Sequence, residues 1–104
     1  MTAIYQIRWL RKALKNLDEQ MEFIAKENLQ AADDQFAKIE IALNHLLQNP
    51  SVGRPGRVHG TRELIIPVTS FIIPYKVKFN QSKQRNEILI LRLFHTSRKL
   101  PKRW

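Results

Sequence analysis

Cysteine is absent from the 104 residues. That excludes a disulfide framework and thiol chemistry, and it suits a chain that works in a reducing cytosol. No apolar run approaches the ~20 residues a membrane helix needs, and the start of the chain has no basic segment leading into an apolar stretch. The expectation is a cytoplasmic chain with no membrane partner. The three histidines, His45, His59 and His95, have neither cysteine nor carboxylate at metal-ligand spacing, so neither metal nor cofactor is expected. Glycine is scarce as well, and all three copies, Gly53, Gly56 and Gly60, fall within one short stretch. Negative charge is scarce in half the chain. Residues 1–50 carry six Lys/Arg against seven Asp/Glu, a net −1, whereas residues 51–104 carry twelve against two, a net +10. The overall +9 and pI near 10.4 point to an acidic partner, nucleic acid or protein, and the basicity belongs to one structural half.

What is present fills one domain. At this length the chain should bury roughly 60–70% of its unfolded surface, and 43% hydrophobic with 26% charged residues is ordinary for a globular protein. Residues 3–9 alternate Tyr5, Ile7 and Trp9 against Ile4, Gln6 and Arg8, which predicts a strand. From Leu10 the period lengthens to three and four: Leu10, Leu14, Leu17, Met21, Ile24 and Ala25 form one helical stripe, ending near Lys26. Asn28 can stop this helix and cap the next. Ala32, Phe36, Ile39, Leu43, Leu46 and Leu47 then repeat the stripe until Asn49-Pro50, where proline ends the ladder. So short a link predicts an antiparallel helical hairpin.

Beyond the Gly53–Leu64 stretch, strands are expected at 61–67, 71–79 and 87–95, joined by short polar turns as an antiparallel meander. Pro67 should end a strand, and Pro74 should sit at an edge or a bulge. The last strand, apolar almost throughout, is expected at the sheet centre. The alternation assigns Phe71, Ile73, Tyr75, Val77 and Phe79 to the helix-covered face and Ile72, Pro74, Lys76 and Lys78 to the open one. In the last strand it assigns Leu89, Leu91, Leu93 and His95 to the covered face and Ile88, Ile90, Arg92 and Phe94 to the open one. The order strand, helix, helix and three strands is an α+β domain over 1–104, with 96–104 as a basic tail.

Three segments carry a family likeness: Gly53-Arg-Pro-Gly-Arg-Val-His-Gly-Thr-Arg-Glu-Leu64, Phe71-Ile-Ile-Pro-Tyr-Lys-Val77, and Ile88-Leu-Ile-Leu-Arg-Leu-Phe-His-Thr-Ser-Arg98. In this order behind a helical hairpin they resemble the RelE/ParE superfamily of toxins from type II toxin–antitoxin modules, over nearly the whole chain. The resemblance implies a toxin neutralised by a co-encoded antitoxin in a hetero-oligomer, acting on DNA gyrase if ParE-like. If RelE-like, it implies a ribosome-dependent endoribonuclease that cuts messenger RNA. RNA cleavage through the 2′-hydroxyl needs a base, a cation at the phosphorane and an acid. Where RelE-like toxins place an arginine after the residue opening their tyrosine-containing strand, this chain has Ile72, and the ending Leu93 to Ser97 is similar to ParE. The ParE-like, non-enzymatic reading is therefore preferred, with the ribonuclease as the alternative and Arg62, Lys76, Arg92 and His95 as its catalytic candidates.

Arg54 and Arg57 flank Pro55-Gly56 in a loop, where they can meet phosphate or an acidic partner or solvate the connection. Arg62 and Glu63 must point to opposite faces of a strand. Arg92, set among Ile90 and Phe94, needs a partner or solvent and marks the open face. Arg98, Lys99 and Trp104 in the tail can hold a nucleic acid or a protein groove. The candidate surface for target or antitoxin is thus Arg54, Arg57, Arg62, Arg92, Phe94, His95, Arg98, Lys99 and Trp104.

Overall fold

The structure, a computed structural model, describes residues 4–96 and 100–104. Its elements are β1 (Tyr5–Trp9), α1 (Arg11–Glu27), α2 (Leu29–Gln48), β2 (Arg54–Pro55), β3 (Arg62–Ile65), β4 (Phe71–Asn80), β5 (Arg85–Ile90) and β6 (Phe94–His95). This is the expected α+β architecture. The joint between the helices is a single residue: Asn28 donates its backbone N–H to the Ile24 carbonyl, ending α1, and its side-chain oxygen accepts from Ala31 N–H at 3.1 Å, starting α2. The helices return on one another, so that Gln20 and Gln35, and Ile24 and Ala31, line one shared cleft.

The strands lie in the order β1-β5-β4-β3-β2, with β6 also paired to β4. β3, β4 and β5 form the antiparallel meander, and β1 closes the far side parallel to β5. Two expectations are corrected here. The central strand is β4 rather than the last strand, because β1 takes the place beside β5. A further two-residue strand, β2, forms inside the glycine-rich stretch, against β3.

The core is Leu17 and Ala13 of α1 and Ile39, Leu43 and Leu46 of α2, packed on Phe71, Ile73, Tyr75, Ile88, Ile90 and Leu93. The assignment of Ile88 and Ile90 to the open face is overturned: both are fully buried in this core, opposite Val77 and Tyr75. The reason is a bulge. β4 pairs Tyr75 with Ile90, but three residues back it pairs Ile72 with Phe94, four residues on, so Leu91-Arg92-Leu93 stand against Ile73-Pro74 alone. One extra residue flips the alternation. Up to Ile90 the even positions face the helices. After the bulge, Leu93 and His95 share the face of Phe71, and Phe94 that of Ile72. Leu93 thus falls where the alternation put it, while Leu89 and Leu91 do not. Pro74 sits at this irregularity, as its missing donor requires: its carbonyl accepts from Leu91 N–H at 2.9 Å, and in a strand the absent N–H would point the same way.

Two further face assignments change. Val77 and Phe79 run beyond the helices and stay 41% and 49% exposed, while Ile72 and Pro74, expected on the open face, are buried. On the helices Leu14 and Phe36, both on the apolar stripes, are likewise exposed.

Candidate functional site

The stretch from Gly53 to Leu64 folds as a small hairpin around one carboxylate. Glu63 is 3% exposed and faces away from Arg62, as their adjacency demands. Its Oε1 accepts from Arg54 Nε at 3.2 Å and Nη2 at 3.0 Å, and its Oε2 accepts from the Arg57 backbone N–H at 2.9 Å. The Arg57 guanidinium is 3.5 Å from the same oxygen. Burial alone would push this carboxyl up, but the Arg57 N–H, the Arg54 hydrogen bonds and the two guanidinium charges outweigh it, holding Glu63 below the ordinary range. Arg62 turns to the other side and donates to the carbonyls of Gly53 at 2.8 Å and Ser51 at 3.1 Å.

Glycine is required where this hairpin meets β4. The Tyr75 hydroxyl accepts from Gly53 N–H at 2.9 Å and donates to the Pro50 carbonyl at 2.8 Å. A Cβ at Gly53 would stand 2.6 Å from the Tyr75 ring and hydroxyl. Burial raises the Tyr75 phenol above its usual value, against the Gly53 hydrogen bond and the nearby Arg62 charge, which lower it.

The end of the chain folds back over this hairpin. Trp104 stacks obliquely on Phe94 at 5.6 Å, lies under the Arg57 guanidinium at 5.3 Å, and donates its indole N–H to Thr61 Oγ1 at 3.1 Å. Arg57 also reaches the Pro101 carbonyl at 3.4 Å. Trp104, nominated in the basic tail to hold a partner, is instead half-buried against this chain and fastened at three points. Arg92 is fastened too. Its Nε donates to Asn16 Oδ1 of α1 at 2.8 Å, its Nη1 to the main-chain oxygen of Trp104 at 3.3 Å, and its guanidinium covers the Phe94 ring at 4.7 Å. Asn16 Oδ1 also accepts from Leu93 N–H at 3.2 Å, so one side chain ties α1 to the bulge.

The nominated residues therefore divide. Arg57, Arg92, Phe94 and Trp104 come together; Arg54 joins them through Glu63; Arg62 is turned toward the loop at 51–53. His95 stands apart, edge-on to Phe71 at 5.9 Å, in a cleft of about 470 Å³ between the helical hairpin and the turn before β4. Arg98 and Lys99 lie outside the described residues. Arg62 and Lys76 occupy opposite faces of the sheet, since Arg62 pairs with Tyr75, so the four ribonuclease candidates do not converge. Among the described residues no group of three potential ligands could hold a metal ion, and no helix there is long and apolar enough to cross a membrane.

Sequence reasoning missed two features. One is Asn16, which carries no signal in a solvent-facing helix pattern. The other is Glu87, fully buried, which accepts from Asn80 Nδ2 at 3.1 Å and lies 3.4 Å from both Arg8 and Arg85. The Asn80 hydrogen bond, more than the two arginines, holds its carboxyl low in spite of burial. It had a signal: Glu63 and Glu87 are the only side-chain carboxylates after residue 50.

A helical hairpin on a mixed sheet, with an arginine-stapled hairpin and a tryptophan-latched end, defines a small α+β fold. The sequence family described as the ParE toxin of the type II toxin–antitoxin system parDE matches residues 7–100. A solved structure titled a chromosomal ParDE toxin–antitoxin system from P. aeruginosa is similar with a TM-score of 0.74 and 28% identity, covering 90% of this chain and 98% of its own. Y4kP of Sinorhizobium fredii, classed by its name with toxins, is 35% identical over 96 residues, 92% of this chain and 93% of its own length. The chain belongs to the ParE toxin family of type II toxin–antitoxin systems.

Proposed function

We propose that this chain is a cytoplasmic toxin that binds DNA gyrase and blocks replication, and that a cognate antitoxin holds it inactive in a hetero-oligomer. Family membership supports the toxin role. The observation that carries the choice of target is Ile72. At the position where ribonuclease relatives would present an arginine, this side chain is 5% exposed and paired with Phe94, so nothing there can reach a phosphate. With Arg62 and Lys76 on opposite faces, the four candidate groups do not gather around one point.

Antitoxin binding is supported by the apolar groups the fold leaves uncovered. Phe23 and Leu29 are 67% and 69% exposed and Phe36 40%, strung along the hairpin around its joint. Leu29 and Phe36 line one groove with Met21, Ala25 and Ala32, and Phe23 lines a second cleft of the hairpin, so a segment laying apolar side chains along the helices has anchor points there. With Arg54, Arg57, Arg62 and Arg92 engaged internally, the partner's carboxylates would add to existing pairs instead of finding free arginines.

Expression without antitoxin should give SOS induction and double-strand breaks before any loss of messenger RNA, and the purified protein should inhibit gyrase supercoiling. Rapid cleavage of ribosome-bound transcripts at fixed codon positions, with supercoiling unaffected, would replace this reading by the ribonuclease.

A further inference from the structure

The two carboxylates of the basic half are both withdrawn from solvent, Glu63 at 3% and Glu87 at 0% exposure, each between two arginines. What that half presents outward is therefore cationic. The effect concentrates on the sheet face away from the helices, at the β1–β5–β4 end. The register sets Arg8, Leu89 and Lys76 in one row and Gln6, Glu87 and Lys78 in the next, with Arg85 beside Asn80 beyond them. Strand neighbours lie ~4.8 Å apart and alternate residues ~6.7 Å apart, so Arg8, Lys76, Lys78 and Arg85 form a flat lattice about 10 Å by 13 Å around the single charge of Glu87. Lys76 and Lys78 are exposed, and neither has a hydrogen-bond or ion-pair partner among the described residues.

The chemistry of this face selects its ligand. It offers no exposed aromatic among the four cations, so it lacks the stacking platform that unpaired bases use. An acidic protein segment would need apolar anchors, and on β4 the exposed ones, Val77 and Phe79, alternate with Lys76 and Lys78 onto the other face, while Phe23, Leu29 and Phe36 lie on the helices, which leaves Ile4, just before β1, as the exposed apolar group nearest these cations. A rigid, evenly charged polyanion needs neither. We propose that the sheet face built from Arg8, Lys76, Lys78 and Arg85 binds the phosphate backbone of duplex DNA without reading its sequence. The lysines are point charges free to meet phosphate, and the arginines, held on edge by Glu87, keep the lattice in place.

The test uses the purified full chain and a labelled 20-base-pair duplex of arbitrary sequence, read by fluorescence anisotropy across a salt series, and it does not depend on gyrase. Four phosphate contacts give a slope of log K against log[salt] of about −3.6. In the double variant Lys76→Gln/Lys78→Gln the slope should become shallower by about 1.8 and affinity at 0.1 M salt should fall on the order of 50-fold, with the thermal melt unchanged. Lys12→Gln/Lys15→Gln removes the same charge from the solvent face of α1 and should leave affinity within about threefold. Equal weakening by the two pairs would reduce the effect to net charge and overturn the proposal. It would be overturned equally by tighter binding of a single strand than of the duplex, or by displacement of the duplex by polyglutamate at matched charge.

Discussion

Glu63→Gln keeps the size of the buried side chain and removes its charge, which isolates what the carboxylate does. The carboxylate accepts from Arg54 through one oxygen and from the Arg57 N–H and guanidinium through the other. An amide has one acceptor oxygen, so either the Arg54 fork or the Arg57 side meets an NH2 group, donor against donor. A hydrogen bond to a charged group contributes ~1.5–3 kcal/mol, and a buried donor left unmet costs a comparable amount. Against this, the Arg54 side chain is 51% exposed and can swing into water, which lowers its share. The expected loss is about 2–3 kcal/mol, or a Tm lower by roughly 10 °C for a chain of this size. Circular dichroism melts and urea titrations at pH 7 measure it. The contrary principle is that a buried ion pair can roughly break even with a neutral replacement of the same shape, and a loss under about 0.5 kcal/mol would show that it governs here. A pH series adds an independent readout. The folded carboxyl lies below its ordinary 4.5, so on acidification the unfolded chain takes up the proton first and stability falls. The gap between the native chain and Glu63→Gln should be full at neutral pH and close as the pH drops below about 4.5; a gap unchanged at the acid end would refute the assignment.

Tyr75→Phe strands the Gly53 N–H in a buried position and should cost about 1–3 kcal/mol in a urea titration. Because burial raises the native phenol, the unfolded chain ionises first at alkaline pH, so the native chain should lose stability above about pH 10 by a step that Tyr75→Phe lacks. Trp104→Ala removes a half-buried indole, and a thermal melt should show about 2 kcal/mol lost, below the 3–5 typical of a fully buried aromatic. Truncation after Ser97 should show the same loss, since it removes the same latch.

Much of the fold was legible because its elements differ in period. The three- and four-residue stripes placed both helices to within a residue or two, Asn28 named their joint, and the meander followed from the turns. The last strand was misread because alternation assumes an unbroken count of two. The insertion at Leu91–Leu93 leaves no mark on composition, and the one local hint, Pro74, lies on the partner strand. The faces of Val77 and Phe79 were misjudged for a different reason: periodicity says which residues share a face, but not where the covering helices stop. The return of Trp104 over Phe94 was invisible even though the alternation put Phe94 on the open face, since periodicity says nothing of where a chain end folds back.

The candidate surface was less legible than the fold, and the chemistry of the two basic side chains explains the pattern. Sequence reasoning nominated arginines, Arg54, Arg57, Arg62 and Arg92, as the groups most able to hold a partner. In the structure each is already holding something: a buried carboxylate, loop carbonyls, or an asparagine and a phenylalanine ring. A planar fork with five donors and weak hydration is suited to such internal ties. An ammonium is compact and strongly hydrated, and it stays outside; Lys76, Lys78, Lys83 and Lys102 are all exposed. With only two carboxylates to share, the arginines of the second half absorb them both through Glu63 and Glu87. The positive charge left for a partner is then carried mainly by lysine; among the described residues Arg103 is exposed as well, and Arg54 and Arg57 are exposed but already paired with Glu63. In a chain so short of negative charge, counting the acids first and assigning them to arginines locates the free cations better than ranking the basic residues by their binding power.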